Sequence, residues 1–320
     1  MLGVLLDRDS LDRDDIDFTA LRATLPDWRL YAATAPHEVA ARIAEAAVVV
    51  CNKVVLSAPA LAGAKRLQLV AVAATGTNNV DLQAAARHSV AVCNVRAYAT
   101  PSVVQHVFSL ILALTRRLVE YRAAVDDGAW SRSRQFCLLD YPMRELTGLR
   151  LGIIGYGELG QAVAQTARQG FGMEVLVAER RGLTPRPGRL ALEELLPRVD
   201  VLSLHCPLTA ETHNLIGRTA LATMRDDALL INTARGGIVD EAALAQALRA
   251  GRLGGAGIDV LGTEPPPVDN PLLAGDLSNL IVTPHIAWAS RESRQRLVDQ
   301  VAGNVAAFRA GRPQNRVTGA

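Results

Sequence analysis

An apolar run, Leu151-Gly152-Ile153-Ile154, breaks directly into Gly155-Tyr156-Gly157-Glu158-Leu159-Gly160. A helical pattern begins at Glu158 and continues through Val163 and Ala167. Strand, tight turn and helix, in that order, are the context that a dinucleotide-binding G-x-G-x-x-G loop requires. Gly155 permits the turn, Gly157 lets the backbone approach a pyrophosphate, and Gly160 lets the helix sit close to the strand. The helix N-terminus offers free N–H groups and a partial positive charge to phosphates. A second strand, Val175 to Ala178, ends at Glu179, 19 residues after Gly160. A ribose-binding acid is expected close to that position.

The chain has 320 residues, enough for about two domains. Its residues are 49% hydrophobic and only 4% aromatic, which suits an aliphatic core of helices on parallel strands. A formal net charge of +2, without a dense Lys/Arg block, disfavours nucleic acid and acidic membranes as partners. Cys51, Cys93, Cys137 and Cys206 show no C-x-x-C spacing. They are expected to be small hydrophobes in a reducing cytoplasm, neither disulfides nor zinc ligands. No signal peptide is expected, because no basic segment precedes an apolar one at the N-terminus. No uncharged apolar stretch reaches the roughly 18 residues of a membrane span.

Alternation of strand and helix runs through the whole chain. Strands are expected at Val4–Asp7, Trp28–Ala32, Ala47–Asn52, Leu67–Ala74 and Val90–Asn94, with helices at 14–23, 37–46 and 80–88. Pro101 to Arg117 reads as one long helix, followed by a less regular stretch over 126–146. After the glycine-rich unit come a helix at Leu190–Pro197 and strands at Val201–Leu204, Ala228–Asn232, Gly255–Val260 and Leu280–Thr283. Asp240 is the N-cap of a helix running to about Ala250, and a last helix spans Arg291 to Arg309. Such a pattern implies parallel sheets, whose ligands sit at the carboxyl ends of strands. His205, Thr233, Arg235, Asp259, Glu264 and His285 all fall just beyond such ends or in the loops that follow.

The segments Gly155–Gly160, His205-Cys206-Pro207-Leu208-Thr209, Asn232–Glu241, Asp259-Val260 with Glu264-Pro265-Pro266, and Thr283–Trp288 occur in that order. Together they resemble the D-isomer-specific 2-hydroxyacid dehydrogenases. The resemblance extends over nearly the whole chain, since Thr75–Asp81 and Cys93-Asn94-Val95 also fit. Asn52-Lys53, the Thr-Gly-Thr-Asn-Asn-Val-Asp run and Asp140-Tyr141-Pro142 are most similar to the glycerate dehydrogenase (hydroxypyruvate reductase) branch. The resemblance implies an α/β protein of two doubly wound parallel-sheet domains. A flavodoxin-like substrate domain would be formed by 1–99 and 286–320, and a Rossmann cofactor domain by 100–285. The helices near 101–118 and 291–309 would link them around a closing cleft. A homodimer built largely through the cofactor domain is also implied.

The same resemblance implies catalytic roles for Arg235, Glu264 and His285, and substrate contacts from Asn52, Lys53, Thr75 and Gly76. It implies cofactor contacts from Gly155, Tyr156, Gly157, Glu158, Leu159, Gly160, Glu179, Arg180, His205, Cys206, Pro207, Thr212, Thr233, Ala234, Asp259 and Ala287. No metal is expected. Each residue alone is unspecific; their joint order carries the reading. Reducing a 2-oxo acid needs a hydride at the carbonyl carbon and a proton at the oxygen. His285 suits the proton, because imidazole titrates near neutral pH, and Glu264 would bind its other ring nitrogen. Arg235 offers a planar fork of donors to the substrate carboxylate or carbonyl. Formate oxidation needs no such dyad, and formate dehydrogenases resemble this pattern with Gln in place of Glu264.

NAD is favoured, since Glu179 can bind ribose hydroxyls and repel a 2′-phosphate. Arg180 and Arg181 would serve NADP if Glu179 swung out. Ala97 stands where the glycerate-type members often have Gly. The expected function is reduction of hydroxypyruvate or glyoxylate to D-glycerate or glycolate. Alternatives are a dehydrogenase for a bulkier 2-hydroxy acid, including phosphoglycerate, and a dinucleotide-sensing corepressor-like binding protein.

Overall fold

Runs of β-branched and aliphatic residues, bounded by short helical turns, build two parallel sheets. The computed structural model describes residues 1–317. They divide into two units, one from Met1–Ala99 with the residues from Ala289 onward, the other Thr100–Trp288.

In the first unit, β1 (Leu2–Leu5), α1 (Thr19–Arg22), β2 (Asp27–Leu30), α2 (Val39–Ile43), β3 (Val48–Cys51), α3 (Ala58–Gly63), β4 (Leu69–Val72), α4 (Leu82–Arg87) and β5 (Ala91–Cys93) follow one another. The strand order is β2-β1-β3-β4-β5, all parallel. Chain order reverses between β1 and β3, the point where such sheets bind ligands. β3 and β4 are buried at every residue, as expected of strands covered on both faces. The C-terminal helix Arg291–Arg309 starts at Ser290, whose Oγ accepts from Ser293 N, and buries Leu297, Val298, Val301 and Val305.

The second unit opens with α5 (Thr100–Thr115) and α6 (Leu118–Asp126). It continues through β6 (Arg150–Ile154), α7 (Glu158–Phe171), β7 (Glu174–Val177), α8 (Leu192–Leu195), β8 (Val201–Leu204), α9 (Arg218–Thr223), β9 (Leu229–Asn232), α10 (Glu241–Arg249), β10 (Gly255–Ile258) and β11 (Leu280–Val282). The order β11-β10-β9-β8-β6-β7, again parallel throughout, puts the reversal between β6 and β8. A core of Leu202, Leu204, Leu230, Leu244, Ala256 and Ile258 fills it. Asp240 Oδ1 caps α10 by accepting from Ala243 N at 2.9 Å.

Several elements differ from the sequence reading. The helix expected over 14–23 shrinks to Thr19–Arg22. Asp12 Oδ1 accepts the N–H groups of Asp15 and Ile16, and Asp14 turns left-handed at φ 61°, so side-chain capping replaces helical bonds. The helix expected over 37–46 is a 3₁₀ turn at Pro36–Glu38 followed by Val39–Ile43. The long helix stops at Thr115, since Arg117 adopts φ 55°, and α6 follows. The helix expected at Leu190–Pro197 covers only Leu192–Leu195 before a 3₁₀ turn. The short α9 had no counterpart in the sequence reading.

Candidate active site

At the end of β6, Gly155 takes φ 91°, and a Cβ there would lie 2.5 Å from the His205 carbonyl carbon and Cys206 N. A Cβ on Gly160 would come within 2.1 Å of Gly155 O. Nothing lies within 4 Å of a Cβ on Gly157. Two glycines are therefore demanded by the protein's own packing, and the third faces open space. Gly157 is also the N-cap of α7, and no side chain caps that end. The free N–H groups of α7 remain for an anion. Tyr156, Glu158 and Leu159 complete this turn, with Thr100 Oγ1 bonded to Glu158 Oε1.

Glu179, just beyond β7, is held inward. Arg186 donates to it from Nε at 2.6 Å and Nη2 at 2.7 Å, the Arg180 N–H from 2.9 Å, and Arg189 lies 3.5 Å away. The Arg186 guanidinium, helped by the Arg180 N–H, lowers its carboxyl pKa to about 2. Arg180 and Arg181 remain exposed. Any further donor to the Glu179 carboxylate thus competes with Arg186, a partner that only folding of the 180–189 loop reveals.

Beyond β8, His205 Nε2 lies 2.9 Å from Ser203 Oγ, and desolvation lowers the imidazole to about 4, so the ring is neutral near pH 7. Burial raises the Cys206 thiol. Thr212 Oγ1 donates to Pro207 O at 2.7 Å and accepts from Thr209 N, closing the 207–212 loop on itself. At the end of β9, buried Asn232 accepts from Ala234 N and donates to Arg235 O, which fixes the turn carrying Arg235. Arg235 itself is exposed, with Nη1 donating to Ala234 O. Gly236 is pressed so tightly against Leu261 that a Cβ would sit 1.9 Å from its carbonyl carbon. Thr233 Oγ1 is buried without a hydrogen-bond partner among the described residues. An orphaned hydroxyl beside a glycine cradle and an uncapped helix fits a dinucleotide.

Beyond β10, the Asp259 carboxylate accepts from Ile286 N and Ala287 N, each at 2.9 Å, and its carbonyl accepts from His285 N at 2.8 Å. These bonds hold His285 at φ 55°, a strained conformation for a residue with a Cβ. Glu264 uses both oxygens. Oε1 accepts from Leu261 N at 2.9 Å, and Oε2 is 2.6 Å from His285 Nδ1. With Nδ1 donating to that carboxylate, Nε2 is the ring nitrogen left for proton exchange with a substrate. The structure thus joins Glu264 to His285, and Asp259 to 285–287. It shows no bond from the Arg235 side chain to that pair among the described residues, although the Arg235–Gly236 turn abuts Leu261.

Asn52, Lys53, Thr75 and Gly76 belong to the other unit. The N–H groups of Asn52, Lys53 and Val54 converge on the Asp7 carboxylate at 2.7–3.2 Å, and Asn52 Nδ2 donates to Ser10 Oγ. Asn94 Nδ2 donates to Thr75 O at 2.7 Å. Asp7 and Asn94 set these loops, and the sequence marked Asp7 only as the residue closing the first strand. Ala97 has φ 58°, the left-handed conformation in which a glycine is unstrained. No group of three or more His, Cys, Asp or Glu residues that could hold a metal occurs among the described residues.

A dinucleotide cradle and a carboxylate-bound histidine on one parallel-sheet unit define an oxidoreductase of the nicotinamide class. Residues 108–287 match the model of the D-isomer specific 2-hydroxyacid dehydrogenase, NAD binding domain. Glycerate dehydrogenase of Methylorubrum extorquens is 47% identical over 309 residues, 96% of this chain and 97% of that one. Hydroxypyruvate reductase of Blautia hydrogenotrophica is 37% identical over 321 residues, covering 98% of each. A crystal structure of a Thermus thermophilus protein superimposes with a TM-score of 0.86 at 36% identity, covering 99% of this chain and 100% of that one. The chain belongs to the D-isomer-specific 2-hydroxyacid dehydrogenase family. It is an NAD(P)-dependent oxidoreductase acting on CH–OH donors. No single helix among the described residues is long and apolar enough to cross a membrane.

Proposed function

We propose that this chain reduces hydroxypyruvate and glyoxylate to D-glycerate and glycolate, with His285 as the acid. The 2.6 Å contact between His285 Nδ1 and Glu264 Oε2 carries the reading. The Gly155–Gly160 turn would hold NADH, which when bound would supply a hydride for the carbonyl carbon. His285 delivers the proton from Nε2 to the carbonyl oxygen, so hydride and proton add across one C=O bond to give the alcohol. Oxidation of the hydroxy acid runs the same steps in reverse. Glu264 orients the ring and offsets the charge of the imidazolium. Arg235, on a turn fixed by Asn232, binds the substrate carboxylate or polarises its carbonyl. Lys53 and the Thr75-Gly76 backbone hold the carboxylate, on loops set by Asp7 and Asn94.

In this reading the residues of 1–99 and 286–320 serve the substrate, and 100–285 serve the cofactor. The two relatives named for glycerate and hydroxypyruvate support the choice of substrate. Exposed Leu118, Val119, Trp130, Phe136 and Leu139 in the cofactor unit support a homodimer built through that unit. Free cysteines, with Cys51, Cys93 and Cys206 buried, suit the reducing cytoplasm.

His285→Ala tests the proposal. Turnover of hydroxypyruvate should fall by about 10²- to 10⁴-fold while NADH still binds. Undiminished turnover would refute the acid role.

A further inference from the structure

The Asp259 carboxylate is only 1% exposed. It accepts the Thr283 hydroxyl at 2.6 Å, in addition to the Ile286 and Ala287 N–H groups. Thr283 has one hydroxyl proton, and this bond uses it. Its oxygen is left as an acceptor, and His106 Nε2 on α5 lies 2.9 Å from it. The same nitrogen is 3.5 Å from Asp259 Oδ1. With acceptors on both, Nε2 must carry a proton. Ser102 lies four residues earlier on α5, hence on the same face, and donates to Ala287 O at 2.7 Å. α5 therefore fastens the 283–287 segment on either side of His285.

We infer that His106 is a positioning residue for proton transfer. It donates to Thr283, which in turn donates to the Asp259 carboxylate, and so keeps the strained His285 backbone, and with it the ring, at the orientation that Glu264 shares. Among the described residues, Asp259 is the charged group within ion-pair distance of His106, and Glu264 that of His285. The inference rests on His285 being the acid.

The test compares His106→Ala, His106→Gln, Thr283→Val and the His106→Ala/Thr283→Val double variant in hydroxypyruvate reduction, with His285→Ala alongside. A ring held loosely loses rate, not cofactor affinity. His106→Ala should lower kcat by about 10- to 100-fold and leave the NADH dissociation constant within about twofold. Gln places an N–H donor close to where Nε2 stands, so His106→Gln should recover to within about threefold of the parent kcat. Thr283→Val should match His106→Ala, and the double variant should be no worse than either, because the two act through one network. If His106→Ala does not fold, the failure of Gln to exceed Thr283→Val in kcat overturns the inference. So does a folded His106→Ala with parental kcat, or one that loses NADH affinity alone. If His285→Ala keeps its turnover, the acid reading falls first; if it loses turnover while His106→Ala stays parental, only the role of His106 falls.

Discussion

Arg186 closes over Glu179 with two donors, and on the proposed reading that pair decides what the ribose of the cofactor meets. While Arg186 stays, it neutralises the acid that would repel a 2′-phosphate. Arg186→Ala should free the carboxylate for ribose hydroxyls and raise the NADH over NADPH ratio of kcat/KM several-fold, by roughly one charge-assisted hydrogen bond. An unchanged ratio would mean Glu179 does not read the ribose. The same pair has a pH signature. Its folded pKa is depressed, so its stabilisation is present above the ordinary value of 4.5 and lost as pH falls through about 2. Melting temperatures measured stepwise across that window should fall less steeply in Arg186→Ala than in the parent. The sequence marks Glu179 because it follows a strand at the right distance from a glycine loop. It cannot mark Arg186, which reaches the acid only once the turns at 180–183 and 186–189, with left-handed Gly182 and Gly188, bend the chain back. His106 is hidden for a related reason: it lies on a helix whose apolar stripe is legible, but its partners come from strand ends more than 150 residues away.

The strand–turn–helix from β6 to α7 separates packing from binding. Gly160→Ala drives a methyl into Gly155 O, so the unit should lose stability by more than about 1 kcal/mol and bind NADH poorly. Gly157→Ala meets nothing within 4 Å and should melt like the parent while losing NADH affinity by about tenfold or more, because its methyl occupies the pyrophosphate's approach. Differential scanning calorimetry and fluorescence titration of both variants check this. Equal NADH affinity in Gly157→Ala would contradict the cradle. Elements with a strong signal were legible: buried runs such as Val48–Cys51, and helices with a period and a cap, such as α10 behind Asp240. Elements decided by local competition were not. Asp12 and Asp14 divert the 14–23 stretch into turns. α6 buries no residue, so its apolar side chains follow no core period to read.

At the scale of the whole molecule, the exposed apolar residues have to be accounted for. Phe136 is 89% exposed and Leu139 78%, and Leu118, Val119 and Trp130 of the same unit are exposed as well. Phe136→Asp with Leu139→Asp should convert the proposed dimer into a folded monomer, as sedimentation equilibrium and far-UV dichroism would show. A parent chain that is already monomeric would contradict the dimer. The order of the parallel strands was legible only in outline, because pairing order depends on contacts between distant segments. The family relationship accounts for the rest, and it makes one claim central: that the site turns over small 2-oxo acids. The direct measurement is the initial rate of NADH oxidation with hydroxypyruvate, glyoxylate, pyruvate and phenylpyruvate at matched concentrations. The account predicts the highest kcat/KM with hydroxypyruvate, giving D-glycerate. No turnover with any of the four, in a protein that still binds NADH, would contradict it.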